Sequence, residues 1–137
     1  MCILIREDQY LTKATKGRIM LSEDTVFEYF KRMAQKDVDG LLNLFADDAV
    51  IYEPFSKSDG LKGRSEIEPF LKVATMANEA LQHSIAIEKK QNKGSIITAL
   101  VTFERGNKVK GRFTFEFNSE LTESNERKIK ALHIQFI

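Results

Sequence analysis

Three side chains of this sequence are of types that move protons and stand where a fold could hold them away from water: Glu53, Tyr29 and His83. Glu53 follows Val50, Ile51 and Tyr52 and precedes Pro54 and Phe55. A solvated loop keeps its acids among polar neighbours, whereas this acid sits where a strand leaves an apolar core. It is either a rim carboxylate facing water or an acid held at the mouth of a pocket. Carboxylates and imidazoles serve as general bases, and a phenol serves as a hydrogen-bond donor. Tyr29 points inward from a helix. His83 opens a strand on the same face as Ile85 and Ile87, as a second acid/base or ligand donor or as a partly buried structural histidine. His133 faces the other way from Leu132 and Ile134, on an outer sheet face.

Other chemistries lack their signatures. The chain has no phosphate-binding loop, no G-x-S-x-G elbow, no H-E-x-x-H and no Cys–His pairing. One cysteine, Cys2, allows no internal disulfide and no cysteine cluster, and two histidines make a His-rich metal site unexpected. Any chemistry is therefore expected to be proton transfer or water activation, without a metal or a nucleotide cofactor. Lys57, Lys62 and Arg64 either attract an anionic substrate or are solvated loop charges.

The elements that must position these groups are legible from periodicity. In "LSEDTVFEYFKRMAQ", Ser22 is a good N-cap, and Glu23 and Asp24 suit the positive end of the helix. Val26, Tyr29, Phe30, Met33 and Ala34 fall on one face. "KDVDGLLNLFADD" reads as a second, short helix capped by Asp37, with Leu41, Leu44 and Phe45 buried. "AVIYEPF" reads as a strand and "SKSDGLKG" as a polar loop. "RSEIEPFLKVATMANEA" is a third helix with a Ser65–Glu68 capping box, an apolar stripe of Ile67, Phe70, Leu71 and Ala74, and Pro69 in its first turn.

From Leu81 the period becomes two. Ile97, Ala99, Val101 and Phe103 share one face, against Thr98, Leu100 and Thr102. "GN" at 106–107 signals a hairpin. Val109, Phe113, Phe115 and Phe117 then alternate with Lys110, Arg112, Thr114 and Glu116, and Leu132, Ile134 and Phe136 close the pattern. Three helices followed by long antiparallel strands imply an α+β domain, with the helices covering one face of a curved sheet. The mixed outer face (Thr98, Leu100, Thr102, Arg112, Thr114, His133, Gln135) is expected to form a two-fold homodimer interface.

At 137 residues, with 42% hydrophobic and 30% charged residues, the chain is one domain able to bury a core. Residues 1–20 read as an N-terminal arm without a clear period, with Met20 as an alternative initiator, and residues 21–137 as a single domain. A net charge of +1 offers no field for nucleic acid. The apolar runs are too short for a membrane span, and "MCILI" is too short for a secretory leader. The expectation is a cytoplasmic protein.

The order of a helix, "DVDGLLNLFADDAV", a short strand, "GLKGRSEI" and a meander resembles the nuclear transport factor 2-like superfamily. Within it, the pattern is closest to the SnoaL-like polyketide cyclases and the ketosteroid isomerases. The resemblance covers about Ser22 to Ile137. It implies a cone-shaped, strongly bent, mostly antiparallel sheet wrapped around the N-terminal helices, the cystatin-like arrangement, enclosing an apolar pocket open at one end. It also implies frequent homodimers. The pocket is expected to be lined by Phe30, Phe55, Phe70, His83, Val101, Phe103, Phe113, Phe115, Leu132 and Phe136, and to take a small apolar molecule. In the isomerases an acid at the end of the first strand, followed by proline, is the proton-shuttling base, and Glu53-Pro54 occupies that place. A tyrosine in the first helix donates to the dienolate oxygen, and Tyr29 stands there. The third isomerase group, an aspartic acid on the penultimate strand, aligns with Phe113. The function implied is a small-molecule pocket protein, with cofactor-free acid/base chemistry on an apolar carbonyl-bearing or cyclic substrate. The alternative is a non-catalytic ligand-binding or dimerisation module.

Overall fold

The structure, a computed structural model, describes residues 22–55, 59–78, 82–118 and 127–137. The arm at 1–20 and the loop lysine Lys57 lie outside them. Helix α1 (Ser22–Ala34) opens with Glu23 and Asp24 in its first turn and closes with Lys31 and Arg32 in its last, so both ends complement the helix dipole. Helix α2 (Val38–Leu42) is capped by Asp37, whose Oδ1 accepts from the Gly40 amide at 3.0 Å. Arg32 ties the two helices together by donating to the Gly40 carbonyl at 2.7 Å and to Glu28 Oε2 at 2.7 Å.

Strand β1 (Phe45–Tyr52) begins earlier than the sequence pattern suggested. Within the expected loop, Leu61–Lys62 forms a short strand, β2, beside Val50 and Ile51. Helix α3 (Arg64–Ala77) is capped differently from the expected Ser65–Glu68 box. Its N-cap is Gly63, at φ 77° and ψ 169°, and Glu66 reaches back to accept from the Lys62 amide at 2.8 Å. Only a residue without Cβ adopts that backbone freely. Pro69 consequently stands in the second turn rather than the first.

Strands β3 (Gln82–Gln91), β4 (Ile96–Arg105), β5 (Asn107–Phe117) and β6 (Ile129–Phe136) complete one six-stranded sheet in the order β2-β1-β6-β5-β4-β3. All pairings are antiparallel except β1 with β6, which is parallel, so the sheet is mixed. Bulges interrupt β3 at Glu88 and the β5–β6 ladder at Phe117. Each inserts a bend and adds twist, which is how a sheet curls without closing.

The concave face is the core. Val26, Tyr29, Phe30 and Met33 from α1 and Ile67 and Leu71 from α3 pack on Ile97, Ala99, Val101, Phe115, Phe117, Ile129 and Leu132. Tyr29 meets Phe30, Phe45 and Phe115 edge-on at ring distances of 5.0, 6.3 and 5.4 Å, the geometry that ring quadrupoles favour. Among the described residues no helix is long and apolar enough to cross a membrane.

Candidate functional site

The parallel register of β1 and β6 places Glu53. Tyr52 lies beside His133, and their rings stack on the convex face at 4.7 Å and 13°. Successive side chains alternate across a strand, so the next residue, Glu53, falls on the concave side with Ile134. There it joins the wall of a cavity of about 500 Å³. Tyr29, Phe30 and Met33 of α1, Phe70 and Ala74 of α3, Phe103 of β4 and Phe113 of β5 form its apolar body. The open end carries Pro54, Phe55, Val109 and Phe136. Phe55 is 82% exposed and tilts against Phe136 at 5.8 Å between ring centres.

Polar groups are few and placed around this apolar body: Tyr29, Glu53, Asn78, His83 and Asn107. Glu53 Oε2 accepts from the Phe55 amide at 3.0 Å, which folds the side chain back over the Pro54 turn. Oε1 is buried and has no hydrogen-bond partner among the described residues. A buried acceptor left without a donor costs about 1–3 kcal/mol, more when charged, so such an atom calls for a functional explanation. Tyr29 is 1% exposed. Burial alone pushes its phenol above the ordinary value of 10.0, so the hydroxyl stays protonated and remains a donor. His83 is half-buried between the rings of Phe30 and Phe103, at 5.8 and 6.3 Å. Desolvation there lowers its pKa below the ordinary 6.5 and favours the neutral imidazole.

The structure thus brings Glu53 and Tyr29, distant in sequence, to one cavity, together with Phe30, Phe55, Phe70, His83, Phe103, Phe113 and Phe136. Val101, Phe115 and Leu132, expected as lining, are instead sealed in the core at 0% exposure. Phe115 and Leu132 are ladder partners deeper in the cone than Phe113 and Ile134. Val101 pairs with Gly111, and a Cβ on Gly111 would meet the rings of Phe113 and Phe103 at 3.0 and 3.5 Å. Those two rings close over this part of the sheet, and Gly111 leaves room for them. Asn78 and Asn107 carry no signature of a site. One follows a helix and the other starts a hairpin strand, and only the fold turns both toward the opening.

Of the basic residues considered for an anion, Lys62 and Arg64 are not part of the wall, and Lys57 lies outside the described residues. Arg64 pairs with Asp47 at 3.2 Å and Lys62 with Asp59 at 3.6 Å. On the convex face, Thr98 and Thr114 hydrogen-bond at 3.3 Å, Arg112 pairs with Glu88 at 2.8 Å, and His133 Nε2 lies 2.7 Å from Glu116.

The sequence profile of the nuclear transport factor 2 (NTF2) domain matches residues 21–129. No curated protein matches the sequence. Among solved structures, the epoxide hydrolase/cyclase-like enzyme SalBIII, associated with pyran ring formation in the polyether salinomycin, superposes with a TM-score of 0.64 at 21% identity, covering 85% of this chain and 90% of that one. A ketosteroid isomerase-like protein from Erwinia carotovora atroseptica gives 0.66 at 12% identity, covering 85% and 94%. A SnoaL-like protein of unknown function from Burkholderia thailandensis gives 0.64 at 11% identity, covering 85% and 93%. At these identities the likeness is one of fold.

Proposed function

Because the chain belongs to the nuclear transport factor 2 family, whose fold surrounds a cavity with one open end, we propose that it binds a small, mostly apolar molecule and performs cofactor-free proton transfer on it. The observation that supports this reading most is the orphaned Oε1 of Glu53 on an otherwise apolar wall. The carboxyl torsion is soft and two-fold, so either oxygen can turn toward a ligand. Glu53 takes a proton from a carbon next to a carbonyl. The electron pair moves onto the carbonyl oxygen, and the Tyr29 hydroxyl donates a hydrogen bond to the developing enolate. Return of the proton from Glu53 completes an isomerisation or exchange. Solved neighbours described as cyclase-like and ketosteroid isomerase-like are consistent with acid/base work in this kind of cavity. A volume of about 500 Å³ also lies within the ~300–1,000 Å³ of ligand sites and argues against a module packed solid by its own phenylalanines.

The test needs no knowledge of the natural substrate. Flat cyclic ketones are incubated with the protein in D2O, and deuterium uptake at the α-carbon is followed by NMR. Wild type should exceed the buffer rate, Glu53→Gln should fall to background, and Tyr29→Phe should lose about 10²–10³-fold, the worth of one enolate donor. Equal rates with and without protein across the panel would remove the catalytic reading.

We further propose a homodimer through the convex face. Thr98 pairs with Thr114, Arg112 with Glu88 and His133 with Glu116 beside Leu100 and Tyr52, a mixture suited to an isologous contact.

A further inference from the structure

The electrostatics of the cavity point to a narrower ligand class. Among the described lining residues Glu53 is the single carboxyl group, and no lysine or arginine is present. Lys62 and Arg64 are held by acids outside the cavity. His83, Asn78 and Asn107 bring dipoles without full charge at neutral pH. The rest of the wall is apolar, with the faces and edges of Tyr29, Phe30, Phe103 and Phe113 packed at ring distances of 5.0–6.5 Å. A carboxylate or phosphate on a ligand would meet the Glu53 carboxylate, with no cation among the described lining residues to offset the repulsion. A positive centre would find two favourable partners. One is the Glu53 carboxyl, whose buried Oε1 lacks a donor and can turn into the cavity about a soft torsion, and the other is the aromatic wall, whose π-electrons attract cations.

We propose that the cavity selects a lipophilic cation, a flat apolar frame carrying a protonated amine, with the ammonium N–H supplying the donor that Glu53 Oε1 lacks. This rests on the reading of the cavity as a small-molecule site and is independent of whether turnover follows.

Three probes sharing one naphthalene frame separate the possibilities: 2-(aminomethyl)naphthalene as the cation, 2-naphthalenemethanol as the neutral isostere and 2-naphthoate as the anion. Each is titrated calorimetrically into the full chain at pH 7 and low salt. The ammonium should bind about tenfold or more tighter than the alcohol, the size of a charge-assisted contact, and the carboxylate weakest. In Glu53→Gln, which keeps the side-chain shape, ammonium and alcohol should agree within about threefold. The wild-type ranking stands as a test even if that variant folds poorly. Equal binding of all three probes, tightest binding of the carboxylate, or an ammonium preference that survives in Glu53→Gln would overturn the charge selectivity and leave the small-molecule reading standing. No binding of any probe would overturn both.

Discussion

At the residue scale, the proposed chemistry turns on the Glu53 carboxyl and on Phe113, which aligns with the second acid that the resemblance to the isomerases implies. Phe113 is 6% exposed and faces Tyr29 at 6.5 Å between ring centres, so the proposed enolate site has the Tyr29 hydroxyl and an apolar wall beside it. Losing one oxyanion contact weakens stabilisation by about 3–4 kcal/mol. Isomerisation of 3-oxo-Δ5 steroids, followed by absorbance of the conjugated product, should therefore be weak or absent. Robust turnover would mean that another donor, such as His83, fills the role. His83 also makes a prediction about pH. Its native pKa is lowered by burial from the ordinary 6.5, so the unfolded chain takes up this proton first. Its contribution to stability is unimpaired above 6.5 and is lost as the pH falls through the interval between 6.5 and the lowered native value. Denaturant unfolding at pH 7.5 and 5 should show a larger acid loss for wild type than for His83→Gln. Parallel losses would show that the imidazole is not desolvated. Tyr29 was legible because the helix period turns it inward, and Glu53 because it ends an apolar strand just before a proline. Asn78 and Asn107 were not, since an amide at the end of an element looks the same in any turn.

At the element scale, period gives the face of a strand but not its depth. The alternation in β4–β6 assigns Phe103, Phe113 and Ile134 to the same side as Val101, Phe115 and Leu132. Only the curl of the sheet decides which of them meet the cavity and which meet the core. In α3 the spacing of Ser65 and Glu68 pointed to a capping box at Ser65. The positive φ of Gly63 instead starts the helix two residues earlier, and Glu66 reaches back to the Lys62 amide. A Cβ at Gly63 would meet nothing closer than the Asp47 carbonyl at 3.8 Å, so substitution there strains only the backbone. Gly63→Ala should destabilise the protein by about 1–3 kcal/mol in urea unfolding. A change below about 0.5 kcal/mol would mean that the start of α3 relaxes freely. The two-residue β2 had no signal of its own, because it exists through pairing with Val50 and Ile51.

At the scale of the whole molecule, the order of helices and strands sufficed for the architecture, while the mixed character of the sheet came from the parallel contact of β1 with β6, a pairing between opposite ends of the domain. The convex face predicts assembly. Sedimentation at micromolar concentration should show about twice the 15.7 kDa chain mass, and Leu100→Glu should shift it to monomer. A wild-type monomer throughout would remove the proposed interface. Ligand binding is proposed for the cavity between α1, α3 and the sheet. Ala74 lines it from α3, so Ala74→Phe should fill part of the space while leaving Glu53 and Tyr29 in place. The most direct measurement is calorimetric titration of a flat, apolar 3-oxo steroid into wild type and Ala74→Phe, with circular dichroism confirming that both are folded. Saturable binding to wild type, weakened at least about tenfold in the variant, is the predicted result. Equal affinity in two folded proteins, or no binding to wild type, would contradict it.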